Sequence, residues 1–560
     1  MDPRPCRICN GPLELRHPGR GGPAQSADFA PSNHRPGEHG DLFACANCGA
    51  VQQPSLPSGD DLHDLYRDMR DDAYLHEEAG RRATARRLLD LIGRHVSGGR
   101  LLDVGCGHGL LLDEARRRGF EVSGLELSRA GAAYARDVLG LDVEEHELED
   151  TGKRYDVIVL ADVVEHLDDP AGALRTCASM LADGGALCVV TPDPASPTAR
   201  IAGSRWWGLV PAHTCLLPRR TLCERLSAAG LVISEDVPLV RSFELRYWLA
   251  GLGERGGSAG AALKALGRTA LGRRTVSLSL GDERVVLAHR IPVTSPAKPI
   301  AQGTGANRVT VVLPAYRAAE TIPAVAKEMP VDAVDRALLV DDASPDETSA
   351  VALREGFDLI RHPANRGYGG NQKTCYVRAL LDGAEIVVMV HADNQYDPAL
   401  VARMVKPIEA GIADVVIGSR LLEDEAIVGG MPRWKWVGNR ALTSVENLVF
   451  RRGFSEYHTG YRAFSADFLR RVAFLRNSDD FVFDQEIFAQ IVRSGSHVVE
   501  LPIPTRYFLE ASSVSFRASV RYGLKTLWVL ARFRLDERGH RWELLRPPAA
   551  PLEVTTAASR

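Results

Sequence analysis

The amino-acid sequence predicts an α/β protein with two large domains, each built on a mostly parallel, doubly wound sheet. The chain has 560 residues, which is more than a single hydrophobic core accommodates. Short apolar runs alternate with amphipathic helical segments in two separate stretches, and this alternation is typical of parallel sheets with helical crossovers. Between the two stretches, residues 292–307 are rich in Pro, Gly, Ser and Thr, which indicates a linker.

Composition restricts the class of protein further. Hydrophobic residues make up 45% and charged residues 25% of the chain, as in ordinary soluble domains. The formal net charge of −4 provides no general attraction to nucleic acid, so we expect no nucleic-acid partner. No apolar signal follows Met1, and no segment has the roughly 18 to 20 apolar residues of a spanning helix. We therefore expect a cytoplasmic protein, with peripheral contact at the inner face of the plasma membrane left open.

The chain is expected to contain five segments. In order they are a cysteine-containing segment at 1–56, a first α/β domain at 57–291, the linker at 292–307, a second α/β domain at 308–545 and a disordered tail at 546–560. Strands of the first domain are predicted at 101–104, 121–125, 156–160, 186–191 and 231–236, closed by a hairpin of 276–280 and 285–288. Strands of the second domain are predicted at 309–313, 336–341, 357–361, 385–390 and 414–418.

Two Cys-x-x-Cys pairs lie in the first segment, Cys6 with Cys9 and Cys45 with Cys48. Each pair can place two thiolates on one tetrahedral ion. Gly49 follows the second pair and suits the tight turn that points backbone amides at the sulfurs. Structural zinc is the favoured interpretation, and four thiolate ligands would leave no position open for catalysis. Four free thiols or a redox pair are the alternatives.

A glycine-rich loop follows the first strand of the first domain. Asp103 ends the strand, and Gly105, Gly107 and Gly109 follow it. Nicotinamide enzymes use G-x-G-x-x-G, because a pyrophosphate must rest on helix amides, but here the third glycine comes one position earlier. Glu126 ends the next strand and can accept both hydroxyls of a ribose. The pattern suits a nucleoside ligand without phosphates whose ammonium group meets a carboxylate, and a tight turn without a ligand is the alternative.

This domain resembles the class I S-adenosylmethionine-dependent methyltransferases, which have a Rossmann-like sheet. The stretch 155–170 resembles the fourth-strand motif of that family, which implies that Asp162 binds the cofactor, and 181–190 resembles the turn into its fifth strand. The paired cysteines ahead of the domain resemble a zinc-ribbon subgroup that modifies sugars and cell-surface glycans. The resemblance implies S-adenosyl-L-methionine as cofactor and a sugar or glycan intermediate as methyl acceptor.

Two histidines are candidate bases for the methyl acceptor. A base is needed when the acceptor is a hydroxyl or a carbon acid. His166 follows the fourth strand, and His213 follows the segment 206–208. A lone histidine is more often a satisfied structural residue, which is the alternative for each of them.

Polar residues end three strands of the second domain. Pro314 and Tyr316 follow the first strand, and Asp341 and Asp342 end the second. The carboxyl edge of such a sheet is where nucleotides bind. Asp393 follows a later apolar strand and can bind a divalent cation that neutralises a departing diphosphate.

This half resembles family 2 glycosyltransferases of the GT-A fold, closest to the branch that makes dolichol- or polyprenyl-phosphate sugars, over residues 309–507. The resemblance implies a nucleotide-diphosphate sugar donor and a sugar, glycan or polyprenyl-phosphate acceptor. It also implies that Asp341 or Asp342 contacts the nucleoside and that Arg420 faces phosphate.

The resemblance places a divalent Mg or Mn ion at Asp393 and Gln395. Many relatives have an acid where this chain has His391, so this site has one carboxylate fewer, and manganese suits an imidazole better than magnesium does. On the acceptor side the resemblance places three residues, Arg462, Asp484 and Glu486. Either acid could serve as the base, and a structural ion pair with the arginine is the alternative.

The sequence thus predicts a bifunctional enzyme, a methyltransferase joined to an inverting glycosyltransferase of cell-surface polysaccharide or glycolipid biosynthesis. One alternative is that only the methyltransferase is active and the other half is a glycan- or nucleotide-binding module. Nucleic-acid binding by the cysteine segment is a third interpretation, which the lack of a basic stripe disfavours. The basic amphipathic segment 516–533 indicates either contact with an anionic membrane or packing on the transferase core.

Overall fold

The structure is a computed structural model that describes residues 5–20, 25–30, 38–71, 74–246, 249, 265–266, 268–301, 308–422, 433–504, 516–549 and 552. The chain divides into two compact units, Met1–Arg290 and Ile291–Arg560. The first unit contains the cysteine segment together with the first α/β sheet. Residues 302–307 of the predicted linker lie outside the described part of the chain.

The first unit begins with a small four-stranded antiparallel sheet. Its strands are β1 (Leu13–His17), β2 (Leu42–Cys45), β3 (Val51–Gln52) and β9 (Cys215–Leu216). β3 pairs with β2 on one side and with β9 on the other. Because β9 comes from the middle of the following domain, the cysteine segment is built into that domain rather than attached to its end.

The larger sheet of the first unit has seven strands. They are β4 (Arg100–Val104), β5 (Glu121–Leu125), β6 (Val143–Glu144), β7 (Tyr155–Ala161), β8 (Leu181–Pro192), β10 (Leu231–Pro238) and β13 (Glu283–Arg290). Their order is β10-β13-β8-β7-β4-β5-β6, and only β13 runs antiparallel to its neighbours. The order reverses beside β4, and ligands of such sheets bind at the carboxyl edge at this point.

Seven described helices accompany this sheet. They are α1 (Asp60–Arg67), α2 (Glu78–Gly93), α3 (Leu110–Arg117), α4 (Arg129–Asp137), α5 (Pro170–Met180), α6 (Pro197–Ala202) and α7 (Arg219–Ala228). The α2 side chains Leu88, Leu89 and Ile92 share a buried cluster with the strand residues Val157 and Leu287. The apolar spacing of α2 in the sequence therefore identifies the face that packs on the sheet.

The predicted hairpin of 276–280 and 285–288 is wrong. β12 (Thr275–Leu278) pairs instead with β11 (Arg241–Glu244) in a separate two-stranded sheet, and β13 inserts between β10 and β8. Alternation of apolar residues identifies a strand but does not identify its partner, so sequence proximity gave the wrong pairing.

The turn between β12 and β13 has a structural role of its own. Asp282 is buried there at 2% exposure. Its Oδ2 atom accepts hydrogen bonds from Trp206 Nε1 at 2.8 Å and from Trp207 Nε1 at 2.7 Å. The turn therefore anchors the segment that leads into His213.

The second unit also contains a seven-stranded sheet. Its strands are β14 (Val309–Ala315), β15 (Arg336–Asp341), β16 (Asp358–Arg361), β17 (Ile386–Met389), β18 (Val415–Ser419), β19 (Arg462–Ser465) and β20 (Val498–Pro502). The order is β16-β15-β14-β17-β19-β18-β20, and β19 is antiparallel to both neighbours. The five predicted strands all form, whereas β19 and β20 were not predicted because their short runs begin with or contain charged residues.

Eight described helices complete the second unit. They are α8 (Ile322–Glu328), α9 (Thr348–Arg354), α10 (Gly367–Leu381), α11 (Val401–Glu409), α12 (Arg433–Phe450), α13 (Ala466–Arg471), α14 (Phe483–Ser494) and α15 (Phe516–Glu537). Among the described helices, none combines the length and the apolar content needed to cross a membrane.

The tail that was predicted to be disordered from residue 546 is packed where the structure describes it. Ala549 and Leu552 are buried, and Arg470 Nε donates to the Leu552 carbonyl at 3.0 Å. A composition rich in Pro and Ala suggested disorder, but burial of single apolar side chains against the unit fixes these residues. Residues 553–560 lie outside the described part of the chain.

Replacing Asp282 by Ala would leave two indole N–H groups without their acceptor. Each unsatisfied buried group costs about 1–3 kcal/mol, so we expect the free energy of unfolding to fall by about 2–6 kcal/mol in urea denaturation. Asp282→Asn retains an amide oxygen as acceptor and should lose clearly less. An alanine variant as stable as the parent chain would show that the two hydrogen bonds do not anchor this segment.

Candidate active sites and metal centre

The four paired cysteines converge on one point. The Sγ atoms of Cys6 and Cys48 are 3.6 Å apart, those of Cys9 and Cys45 are 3.4 Å apart, and all four lie within 4.8 Å of one another. Around a tetrahedral zinc ion with Zn–S bonds of about 2.3 Å, neighbouring sulfurs are about 3.8 Å apart. The cluster therefore has the size and ligand set that fit a zinc ion.

The two Cys-x-x-Cys turns share one backbone conformation. Asn10 and Gly49 occupy equivalent positions in the left-handed region, with φ of +56° and +76°. In each turn the N–H two residues after the first cysteine points at its sulfur, at 3.4 and 3.3 Å. Gln52 Nε2 also donates to Cys6 Sγ at 2.9 Å. The sequence analysis missed Asn10, although Asn is the residue that most readily replaces Gly in this conformation.

The glycine-rich loop joins β4 to α3, and its three glycines have different roles. Gly105, Gly107 and Gly109 have φ of +69°, +55° and +76°. A Cβ atom on Gly105 would lie 2.6 Å from Val163, and one on Gly109 would lie 2.6 Å from Leu141. A Cβ atom on Gly107 would meet nothing closer than 3.8 Å. Close packing thus accounts for the outer glycines, while a Cβ on the middle one would make only an ordinary contact with Tyr74.

Glu126 and Asp103 face this loop. The Glu126 carboxylate accepts hydrogen bonds from the N–H groups of Gly107 and Ser128, each at 2.7 Å, and its remaining lone pairs can accept two hydroxyl groups. Burial raises the pKa of Glu126. Burial, together with the nearby Glu126, raises the pKa of Asp103 to about 8. A cationic group placed beside Asp103 would therefore favour its ionised form.

An aromatic stack that the sequence analysis missed covers the loop. The Tyr74 ring stacks on His108 with centroids 4.5 Å apart, and the Arg81 guanidinium lies 3.8 Å from the centroid of the Tyr74 ring. Tyr74 also provides the atom nearest to a Cβ on Gly107. No motif could have identified Tyr74, because it precedes the domain's first strand and reaches the loop only through the fold.

Asp162, predicted to contact the cofactor, forms an ion pair. Its two carboxylate oxygens accept hydrogen bonds from Arg241 Nη2 at 2.7 and 2.8 Å, and Arg241 also pairs with Glu283. Burial acts to raise the pKa of Asp162, but Arg241 outweighs it and the pKa is lowered. The sequence analysis missed Arg241, which lies on β11, far along the chain.

The two candidate bases are direct neighbours. The rings of His166 and His213 lie 4.8 Å apart at 73°, and Glu165 joins them in a group whose ligand atoms all lie within 4.8 Å of one another. His166 Nδ1 is 3.2 Å from the Ala212 carbonyl, and His213 Nδ1 is 2.7 Å from the Gly208 carbonyl. Burial lowers the pKa of His166 to about 4. The sequence suggested each histidine as a separate candidate base, and the fold places their two rings side by side.

The cysteine segment holds the chain that carries His213. Gln53 Nε2 donates to the carbonyls of Val210 at 2.9 Å and His213 at 2.8 Å. On the other side, Thr214 donates from its N–H to the Glu165 carbonyl at 2.9 Å. The histidine pair is thus fixed both by the cysteine segment and by the turn that follows β7.

In the second unit, Asp341 and Asp342 organise the loops of the crevice. Asp341 is buried and bonds within its own turn. Asp342 accepts hydrogen bonds from the N–H groups of Arg366 at 2.8 Å and Gly367 at 2.9 Å, and lies 2.7 Å from His362 Nδ1. The Asp342 carboxylate therefore fixes the loop that precedes α10.

The predicted metal ligands follow β17. His391 Nδ1 lies 3.9 Å from Asp393 Oδ2, and the Gln395 backbone N–H donates to Asp393 Oδ1 at 3.1 Å. A Cβ on Gly460 would lie 2.0 Å from His391 Nε2, so only glycine admits this imidazole. Among the described residues, no further His, Cys, Asp or Glu joins His391 and Asp393 in a group of three. Donor phosphates and water would therefore complete the coordination of an ion.

Asp484 is the centre of a polar network on the acceptor side. It accepts hydrogen bonds from Arg462 Nη1 at 2.9 Å, Tyr368 Oη at 3.2 Å and Gln372 Nε2 at 3.2 Å. Tyr368 Oη also lies 3.2 Å from His391 Nε2, which connects the network to the metal ligands. The ion pair between Arg462 and Asp484, which the sequence left open as an alternative to a catalytic base, is therefore present in this network.

The remaining predicted residues take other positions. Glu486 bonds to Ser478, whose Oγ donates to it at 3.0 Å, so Asp484 is the acid that faces Tyr368. Arg420 is buried with Glu456, and its Nε donates to Glu456 Oε1 at 2.9 Å. This ion pair differs from the expected phosphate contact, because the arginine charge is neutralised within the fold. Glu456 gave no signal in the sequence.

At the end of β14, Pro314 is half-buried and Tyr316 is exposed, with the Arg317 guanidinium 5.4 Å from its ring centroid. The Tyr316 ring is thus accessible at the carboxyl edge of the sheet.

Comparison with known proteins identifies both units. A family model described as "Methyltransferase domain" matches residues 74–235, and one described as "Glycosyl transferase family 2" matches residues 310–473. The chain is a methyltransferase joined to a family 2 glycosyltransferase. The methyltransferase match covers the glycine-rich loop and the histidine pair, and the glycosyltransferase match covers β14 to β19 with His391 and Asp393.

Individual relatives cover parts of this bifunctional chain. An uncharacterized protein of Methanocaldococcus jannaschii is 31% identical over 224 residues, 40% of this chain and 91% of that protein. A ubiquinone biosynthesis O-methyltransferase of Alkalilimnicola ehrlichii is 39% identical over 99 residues, 16% of this chain and 40% of that enzyme. A crystal structure of glucosyl-3-phosphoglycerate synthase from Mycobacterium tuberculosis is 16% identical with a TM-score of 0.34, covering 41% of this chain and 80% of that one.

Proposed function

We propose that the methyltransferase methylates a sugar or glycan intermediate and that the glycosyltransferase transfers a sugar from a nucleotide donor, with inversion, in cell-surface polysaccharide or glycolipid biosynthesis. The observation that carries this proposal is the presence of both family matches on one chain. Fusion of two steps of one pathway raises the local concentration of a shared intermediate.

The methyltransferase would bind S-adenosyl-L-methionine at the carboxyl edge of its sheet. The nucleoside would lie beside Gly107, whose N–H donates to the Glu126 carboxylate, and this carboxylate would accept the two ribose hydroxyls. Asp103 would face the methionine ammonium, and the stacked Tyr74 and His108 would cover the ligand. Methyl transfer is an in-line displacement, so these contacts act mainly by aligning the methyl group.

The methyl acceptor would approach from the side of His166 and His213. The two imidazoles, whose rings lie 4.8 Å apart, are where a proton of the acceptor would be handled. A structural zinc ion at Cys6, Cys9, Cys45 and Cys48 would hold the cysteine segment, which in turn holds the His213 loop through Gln53.

The glycosyltransferase would bind a nucleotide-diphosphate sugar with a divalent Mg or Mn ion at His391 and Asp393, and the Gln395 side chain would add an oxygen. The mixed imidazole and carboxylate set favours manganese. The ion would neutralise the departing diphosphate. Asp484 is the candidate base for the sugar acceptor, and Tyr368 links it to His391.

Helix α15 suggests where a polyprenyl-phosphate acceptor would be met. One face of the helix packs on its unit through buried Val529 and Phe533. The opposite face exposes Leu524 at 64% and Trp528 at 56%, and the neighbouring α12 exposes Leu448 at 76%. Arg521 and Lys525 flank this apolar surface. The two interpretations of this segment, packing on the core and membrane contact, are therefore compatible. The helix packs on its unit through one face and leaves an apolar face flanked by basic residues, which suits an anionic membrane.

Binding of S-adenosyl-L-methionine should release a proton. At pH 7 the Asp103 carboxyl is largely protonated, because its pKa is raised to about 8, and a neighbouring ammonium favours the ionised form. We expect affinity to increase as pH rises toward 8. Calorimetry in buffers of different ionisation enthalpy should show release of up to about one proton per ligand.

Asp103→Asn should abolish this proton release and weaken binding by about ten- to a hundredfold. Asp90→Asn, at an exposed carboxylate, is the matched control. Unchanged proton release in Asp103→Asn would remove Asp103 from the cofactor site.

Asp393→Ala should reduce metal-dependent transfer or hydrolysis of nucleotide sugars by at least about a hundredfold, because the diphosphate loses its neutralising ion. Gly460→Ala should act in the same direction by displacing His391. Gly453→Ala, where a Cβ would meet nothing within 4 Å, is the matched control. A panel of nucleotide sugars with added manganese measures the effect, and full activity in Asp393→Ala would exclude the assigned role.

Leu524→Ser and Trp528→Ser should each weaken binding to vesicles containing phosphatidylglycerol by about tenfold, because each removes an apolar group worth about 1.5–3 kcal/mol on burial. Sedimentation with vesicles measures this binding, and neutral vesicles should bind less than anionic ones. Ile201→Ser, at an exposed apolar residue of the first unit, is the control. Binding that is equal in all variants would argue against α15 as the contact surface.

A further inference from the structure

A second group of metal-ligating side chains lies in the methyltransferase, apart from the four cysteines. Within the described chain, Glu165, His166 and His213 bring two imidazoles and one carboxylate together, with one ligand atom of each lying within 4.8 Å of the others. Such a set binds zinc, manganese, cobalt or ferrous iron and leaves coordination positions open. We propose that these three residues form a second, exchangeable site for a divalent cation on the acceptor side of the methyltransferase.

The orientation of both imidazoles supports this site. His166 Nδ1 lies 3.2 Å from the Ala212 carbonyl, and His213 Nδ1 lies 2.7 Å from the Gly208 carbonyl. A carbonyl oxygen only accepts hydrogen bonds, so Nδ1 carries the proton in both rings and the lone pair is on Nε2. Metal-ligating histidines usually have this arrangement, in which the distal N–H is tied to a carbonyl or carboxylate.

The carboxylate is positioned in the same way. Glu165 is 1% exposed, and Thr191 Oγ1 donates to its Oε2 at 2.9 Å. The nearby guanidinium of Arg241 is bonded to Asp162 and Glu283. A buried carboxylate is stable when it is paired or coordinated to a metal, and a cation held between Glu165 and the imidazoles would provide that partner.

The backbone around the group is fixed from two independent directions. Thr214 Oγ1 donates to the carbonyls of Glu165 at 3.1 Å and Leu167 at 2.7 Å, which joins the loop before β9 to the turn after β7. Gln53 holds the same loop to the cysteine segment through the His213 carbonyl. The three ligands are therefore placed by the fold before any ion binds, as a metal site requires.

The role of this cation site rests on the proposed methyl transfer, to which it adds a means of activating the acceptor. A cation lowers the pKa of a bound hydroxyl, so an acceptor hydroxyl held there would lose its proton to solvent. The acceptor oxygen would then form a bond to the methyl carbon as the sulfur–carbon bond breaks, giving the methyl ether and the thioether product. The two histidines would act as ligands in this reaction rather than as free bases.

The test uses the full chain carrying Asp393→Ala, which removes the divalent-cation site proposed in the second unit, with its cysteine cluster loaded with zinc, titrated with Co²⁺ and with Mn²⁺ alone. We expect one additional ion per chain, and the added cobalt should show no thiolate-to-metal charge-transfer absorption, since no cysteine is a ligand. His213→Ala and Glu165→Gln should remove this binding. Thr191→Val, which removes only the hydrogen bond to Glu165, should weaken it by about ten- to a hundredfold.

His289→Ala, at another buried histidine of the same sheet, should leave the additional ion in place. Thermal melting and S-adenosyl-L-methionine binding of each variant establish that the first unit is folded. The proposal is overturned if the zinc-loaded chain takes up no additional ion, or if folded Thr191→Val and His213→Ala bind it as the parent chain does. If the chain binds S-adenosyl-L-methionine but no additional ion, the proposed function stands and the cation site does not. If the chain binds the additional ion but no S-adenosyl-L-methionine, the cation site stands and its role in methyl transfer does not.

Discussion

Parallel strands bring their carboxyl ends to one edge of a sheet, and the sites of both units depend on this constraint. In the first unit, the loop with Gly107 follows β4 and Asp162 follows β7, its neighbour in the sheet. In the second unit, Asp342 follows β15 and Asp393 lies after β17, on either side of β14. Residues far apart in sequence are thereby placed around one crevice in each unit, and the two transferases use the same geometry with different side chains.

The cysteine segment adds a second constraint to the methyltransferase. Its strand β3 pairs with β9, Gln53 binds the carbonyls of Val210 and His213, and Thr221 Oγ1 donates to the Cys48 carbonyl at 2.6 Å. A metal ion at the four thiolates would stabilise the turns that precede β3. Through this connection a metal ion at the four thiolates would act on the position of His213.

The sequence predicted the features that depend on residues close together along the chain. The four cysteines were identified by their spacing, and Asp103, Gly107 and Glu126 by their position at strand ends. The apolar strands of both sheets were also found. Strand β6 was missed because it has only two residues, and β19 and β20 because their runs begin with or contain charged residues. Arg462 at the start of β19 is buried and pairs with Asp484. Roles that need a distant partner could not be predicted in this way.

The sequence by itself determined two doubly wound α/β domains and the residues at the carboxyl edges, because apolar periodicity and glycine conformation depend on near neighbours. The methyltransferase and glycosyltransferase families followed from the resemblance of its motifs. Only the tertiary structure decided which charges neutralise each other. It paired Arg241 with Asp162 and Arg420 with Glu456, and it placed His166 against His213. Electrostatic and coordination partners are residues that lie close together in space, and their separation along the chain does not indicate which residues these are.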